Sequence, residues 1–144
     1  MAKMIFVNLP VQDLGRATSF YQAVGATLNP TFSDVTASCM VFSETIHVML
    51  LTHDKFRMFT PKPISDARNS SEVLLCLSAE SRAEVDHFAS TAAAHGGRAD
   101  VRAAQDYGFM YGRSVEDPDW HIWEIMWMDM AKAPAEIEKM HQSA

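Results

Sequence analysis

The residue best placed for chemistry is Glu124, the one carboxylate in the run Trp120-His121-Ile122-Trp123-Glu124-Ile125-Met126-Trp127-Met128. Strand alternation puts Trp120, Ile122, Glu124, Met126 and Met128 on one face. An ionised carboxylate among such neighbours is costly unless paired. Burial there would favour the protonated form and suit the group to take or give a proton near neutrality. The same residue can equally be a carboxylate held in place by hydrogen bonds, with Asn8 or Tyr111 as the partner. The other reactive side chains stand singly. His47 lies three residues from Leu50, and His121 three from Glu124, so each points to the opposite sheet face from that neighbour. His87 and His95 belong to a helical stretch and His141 to the tail, while His53, at a strand end, could reach a cleft mouth. Cys39 and Cys76 form no C-x-x-C pair and read as buried free thiols.

The elements that must position these groups follow one plan, written twice. Met4–Val11 is a strand, with Ile5, Val7, Leu9 and Val11 alternating against their neighbours. Asp13 offers a cap oxygen, Leu14, Ala17, Tyr21 and Val24 recur at helical spacing with Phe20 widening the stripe, and Gly25 ends the helix. Extended segments follow at 27–32, 36–43 and 45–52. Half the chain further on, Glu72–Ser78 is again a strand, Ser81 and Glu84 form an S-x-x-E capping box, and Val85, Phe88 and Ala92 make the apolar stripe. Gly96-Gly97 ends that helix, and segments 98–104, 108–115 and 120–128 are extended, with Asp117-Pro118-Asp119 turning between the last two. Pro134 opens a short terminal helix. The expected organisation is a single domain over 1–144: module one at 4–53, a polar linker at 54–71, module two at 72–128 and a tail at 129–144.

Composition limits the function classes. The chain has 144 residues, 48% apolar and 21% charged, with net charge −6. Phosphate backbones need clustered Lys and Arg, and here Lys62 and Arg68 sit in a loop with no basic run near them, so no nucleic-acid partner is expected. No apolar run approaches the ~20 residues of a membrane span, and the N-terminus enters a strand without signal-peptide zones. A cytoplasmic setting with reduced thiols is expected.

Two stretches carry a family resemblance. Phe6-Val7-Asn8-Leu9-Pro10-Val11-Gln12-Asp13-Leu14, continuing to Ser19-Phe20-Tyr21, resembles the opening of the vicinal oxygen chelate superfamily, which includes glyoxalase I, bleomycin-resistance proteins and extradiol dioxygenases. Glu116-Asp117-Pro118-Asp119-Trp120-His121-Ile122-Trp123-Glu124 resembles its final strand, where D-P-D-G leads to a functional Glu. The likeness spans about 4–128 and is greatest to lactoylglutathione-lyase-type proteins without an assigned substrate. It implies an α+β fold of two βαβββ modules whose curved sheet encloses a cleft. In the metal enzymes that cleft carries His, Gln or Glu ligands at matching strand positions. Carried over, those positions fall on Phe6, on or next to Leu50, on Val73, and on Glu124. Only Glu124 keeps a ligand-type side chain, and one carboxylate does not hold a divalent ion against water. No bound cofactor is therefore expected, and no metal at these positions.

Phe6, Asn8, Val48, Leu50, Val73 and Leu75 are expected to share the cleft with Glu124, Ile122 and Met126. Phe42, Tyr107, Phe109 and Tyr111 would form its rim or floor, or else simply fill the core. Such a lining suits a small organic molecule oriented by few polar groups, and the ten Met residues could adapt to it. Three readings stand: a metal-free protein that binds and sequesters a small organic compound; a glyoxalase-like lyase or isomerase with Glu124 as proton shuttle; and an extradiol-type dioxygenase, which would need two His where Phe6 and Val73 stand. A homodimer is expected from the family likeness and from the apolar Met126, Trp127, Met128 and Met130.

Overall fold

The structure is a computed structural model that describes residues 2–142; Met1 and residues 143 and 144 of the expected tail lie outside the described residues. In chain order the elements are β1 (Ile5–Val11), α1 (Leu14–Ala23), β2 (Thr27–Asp34), β3 (Ala37–Val41), β4 (Ile46–Thr52), α2 (His53–Arg57), β5 (Leu75–Ala79), α3 (Arg82–Ala94), β6 (Arg98–Ala99), β7 (Gln105–Asp106), β8 (Met110–Glu116), β9 (Ile122–Met128) and α4 (Ala133–Gln142). The fold is α+β and is built twice. The first module forms a sheet in the order β1-β4-β3-β2, and the second repeats it as β5-β9-β8-β6, with β7 added against β8. In each sheet the first strand lies parallel beside the last, and the remaining pairs are antiparallel.

The caps read from the sequence form. Asp13 Oδ1 accepts from the Arg16 amide at 3.0 Å and Ser81 Oγ from the Glu84 amide at 3.0 Å. Glu84 reaches one residue further back than a capping box requires, accepting from the Glu80 amide at 2.5 Å. Gly25 and Gly96 turn with φ of 114° and 94°, the left-handed stop that favours glycine. α1 packs on β2, β3 and β4, α3 packs on β5, β6, β8 and β9, and the two helices touch. One core therefore crosses both modules, with Val11, Phe20, Met40, Val48 and Leu50 from the first and Val85, Val115, Trp123 and Ile125 from the second.

The join is polar as well as apolar. The Tyr21 hydroxyl donates to Asp117 Oδ2 at 2.7 Å and accepts from Trp123 Nε1 at 2.9 Å. Asp117 is fully buried, and its Oδ1 accepts from the amides of Asp119 and His121 at 2.8 and 2.9 Å. Asp119 Oδ1 accepts from the Gln12 amide and the His121 ring nitrogen Nε2 donates to the Pro10 carbonyl, both at 2.8 Å. The turn signal Asp117-Pro118-Asp119 thus also ties β1 and α1 to the second module. Burial pushes the Asp117 carboxyl above its usual range despite these donors. Burial, and then the Asp117 charge, push the Tyr21 phenol well up.

Several segments depart from the sequence expectation. The linker opens with the short helix α2, capped by Thr52 Oγ1 accepting from the Lys55 amide at 3.3 Å. β5 begins only at Leu75, which leaves Val73 and Leu74 exposed. The expected strand 98–104 stops at Ala99, because Asp100 turns with φ 57°. β9 starts at Ile122 rather than 120, because Trp120 has φ 72° and so leaves the alternation it was expected to join. Cys39 is buried, but Cys76 is exposed, since alternation in β5 sends it away from α3. Among the described residues no helix is long and apolar enough to cross a membrane.

Candidate functional site

Residues paired across strands share a sheet face, so register assigns the face away from α1 and α3. In the first sheet Phe6 pairs with His47 and Asn8 with Met49. In the second, Cys76 and Ser114 flank Glu124, Gly112 pairs with Met126, and Glu116 with Ile122. Phe6, Asn8, Ile122, Glu124 and Met126 therefore lie on the open face. Val48 and Leu50 do not: they pair with Val7 and Leu9, are fully buried and belong to the core. His47 and Met49 take the open side instead, and His47 stacks on Phe6 with ring centroids 4.4 Å apart. The sequence reading set the parity of β4 one residue out. Each face of β4 carries apolar residues, Val48 and Leu50 on one and Met49 and Leu51 beside His47 on the other, so alternation alone did not mark the inner one.

Two aromatic assignments change as well. Phe42 packs between Tyr21 and Trp123, at centroid distances of 6.3 and 5.8 Å, within the core. Tyr111 faces α3: its hydroxyl donates to Asp86 Oδ1 at 2.6 Å, and the Arg82 guanidinium covers its ring at 4.4 Å. The Tyr111 hydroxyl and then Arg113 hold the Asp86 carboxyl below its ordinary range. Leu75 pairs with Trp123 on the core side, though it also borders a cavity described below.

Glu124 is not isolated among apolar groups. Its Oε1 accepts from Arg102 Nη2 at 3.0 Å, and the carboxylate is about a quarter exposed. Arg102 sits past the end of β6, positioned by its amide donating to Ser114 Oγ at 3.1 Å. Neither Asn8 nor Tyr111 serves as the partner the sequence suggested. Arg102 is the residue that sequence reasoning missed, because the early end of β6, which lets it cross to Glu124, has no spacing signal. With Met110, Ser114 and Met126 the pair lines a small cavity of about 50 Å³. Cys76 neighbours Glu124 across β5 and β9, and burial, then the Glu124 charge, push its thiol up. The residues present do not fit a divalent metal. Among the described residues no three His, Cys, Asp or Glu side chains converge on one point, and the one carboxylate at an expected ligand position already carries a guanidinium.

A larger cavity, about 290 Å³, lies between the modules under the linker. Asn8, Pro10, Phe56, Val73, Leu75 and Ile122 line it, with His121 and Trp120 at one end. The expected ligand residues thus divide. Asn8, Val73, Leu75 and Ile122 meet here, Glu124 and Met126 meet at the small cavity, and Phe6 stands half-exposed against His47. A third, more polar cavity of about 380 Å³ lies beyond Trp120, lined by Gln12, His53, Arg57, Asp66, Arg68 and Asp119.

Comparisons with known proteins agree with this architecture. A family model described as bleomycin resistance protein-like N-terminal matches residues 3–43. Among solved structures, a hypothetical protein from S. aureus is 24% identical, with a TM-score of 0.74 over 88% of this chain and 95% of that one. A glyoxalase/bleomycin resistance protein/dioxygenase family enzyme from Burkholderia phytofirmans PsJN is 17% identical, with a TM-score of 0.72 over 88% and 99%. The fold is that of the vicinal oxygen chelate superfamily. A fosfomycin resistance protein from Listeria monocytogenes shares this fold, at 17% identity and a TM-score of 0.62 over 88% and 91% of the two chains. No curated protein sequence matches the chain significantly.

Proposed function

We propose that this chain is a metal-free small-molecule-binding protein of the glyoxalase/bleomycin-resistance type, sequestering a small organic compound in the cavity between its modules. The observation that carries this reading is the cavity of about 290 Å³, with apolar walls from Phe56, Val73, Leu75 and Ile122 and polar groups, among them Asn8, Lys62, Glu72 and His121, that could orient a ligand. That size and lining are near those of small-ligand sites. The match of residues 3–43 to a bleomycin resistance protein-like N-terminal model supports a protein of that general type. The free cysteines support a reducing, cytoplasmic setting.

The test is a thermal-shift screen of small planar organic compounds, with and without EDTA, on wild type and Ile122→Trp. A compound held at a hundredfold excess over its Kd adds about 2.7 kcal/mol, which raises Tm by about 5–10 °C for a chain of this size. The rise should survive EDTA and vanish when the indole fills the cavity. A rise that needs divalent metal, or one unchanged in Ile122→Trp, defeats the proposal.

A second reading, a glyoxalase-like lyase or isomerase of the lactoylglutathione-lyase type, gains support from Arg102, a cation beside Glu124 that the sequence alone did not reveal. It would show as turnover of methylglyoxal–thiol adducts that falls about 10²-fold or more in Glu124→Gln, the scale of general-base catalysis. The extradiol dioxygenase reading gains nothing, since it requires two His and a carboxylate together.

The proposal includes a homodimer. β1 and β5 are edge strands of their sheets, and Met4, Ile5, Phe6, Val73 and Leu74 are exposed at or beside their starts. Apolar edges of this kind pair with another chain unless covered. Light scattering at micromolar concentration should give twice the 16.1 kDa of one chain, and a single-chain mass overturns this part.

A further inference from the structure

Trp120 is the largest of the residues that line both inter-module cavities, with Pro10, Ser65, Ala67 and His121; one cavity, of about 290 Å³, is the more apolar and the other, of about 380 Å³, the more polar. Its backbone is in the left-handed region at φ 72°, a conformation a bulky residue adopts at a cost and keeps only where its surroundings impose it. Three contacts do so. The Trp120 amide donates to the Asp117 carbonyl at 3.0 Å. The Arg98 guanidinium lies over the indole at 3.4 Å, itself fixed by Glu116 at 3.2 Å and the Asp117 carbonyl at 2.8 Å. Arg68, from the linker that roofs the cavities, lies 4.8 Å from the ring centroid. The indole thus contacts both a fixed cation and one on the roof. Behind it, the polar cavity includes Asp119, whose side chain is 9% exposed and whose Oδ2 is buried without a partner.

Resting on the ligand-binding reading above, we propose that Trp120 is the size filter of the site, a wall that confines the ligand to the apolar compartment. Removing the indole joins the two compartments. The joined space takes a longer ligand with an apolar head among Phe56, Val73 and Ile122 and an N–H or O–H tail directed to Asp119 Oδ2. Arg68 couples the filter to the roof, so the wall and the linker hold or loosen together.

The experiment uses the full chain and a homologous series of ω-phenylalkyl alcohols and amines of increasing chain length, with affinity measured by calorimetry. Wild type should bind the short members and lose affinity as the chain lengthens. Trp120→Gly, suited to the left-handed backbone, and Trp120→Asn, which also tolerates it, should bind the long members at least about tenfold more tightly than wild type does. Adding Asp119→Asn to Trp120→Gly should erase most of the gain for amines. If wild type binds short members and neither Trp120 variant shifts the preferred length, the filter is wrong while the binding reading stands. If no member binds wild type or variants, and the organic screen on wild type is also blank, the binding reading fails and takes the filter with it.

Discussion

Gly97→Ala is expected to destabilise the protein by about 3–4 kcal/mol, at the upper end for a single added methyl. A Cβ built there runs into the Glu116 carbonyl oxygen and comes within 2.8 Å of Phe20 Cε2 and 3.0 Å of the Ala92 carbonyl oxygen. Two of the three obstacles are backbone and cannot rotate away. The third is an α1 ring that is almost wholly buried at the junction of the modules. Gly15→Ala is the control: its Cβ would meet nothing closer than 3.5 Å, to Asp13 Oδ1. In a helix that change should be neutral or stabilise by up to about 1 kcal/mol. Urea unfolding measures both. A cost below about 1.5 kcal/mol for Gly97→Ala would mean that the α3 end and β8 do not approach as closely as described.

Asp117→Ala should cost about 3–5 kcal/mol by the same assay, since it leaves the Tyr21 hydroxyl and two amides without an acceptor in the core. Asp117→Asn should cost much less, because an amide oxygen can still accept from the amides of Asp119 and His121. The two variants also differ in pH dependence. Burial raises the native carboxyl above its unfolded value, so the folded state holds this proton more firmly. The resulting stabilisation is complete below the unfolded value of about 3.9 and is lost as pH rises through the native one. Asp117→Asn should therefore narrow its deficit, or overtake wild type, as pH rises from about 4 to 7. A wild-type minus Asp117→Asn difference that is flat across that range would contradict the assigned direction.

The repeated plan was legible because its signals are local. Asp13, Ser81, Gly25 and Gly96 each act within one turn of chain, and each does what its type suggests. The superfamily likeness was legible at both ends for the same reason. The site was harder. The inner face of β4 could not be read from a strand with apolar residues on both sides, so Val48 and Leu50 stood in for His47 and Met49. Tyr111 and Phe42 are aromatics with partners far away in sequence, Asp86 for one and Tyr21 and Trp123 for the other. Arg102 reaches Glu124 only because Asp100 turns the chain out of β6. Each of these depends on a long-range arrangement that residue type and spacing do not encode.

The parallel pairing of each module's first strand with its last sets an order of assembly. β2, β3 and β4 are joined antiparallel through short connections, as are β8 and β9, and can zip locally. β1 finds a partner only after β4 exists, and β5 only after β9. Closing such long loops is entropically costly and slow. During synthesis β1 leaves the ribosome first yet is captured late, and β5 repeats that wait. Asn8 is carried by β1, and Leu75 by β5, with Val73 just ahead of it. The cavity between the modules therefore takes shape among the last parts of the molecule to form, and a chain that has folded partway presents nothing for a ligand to hold.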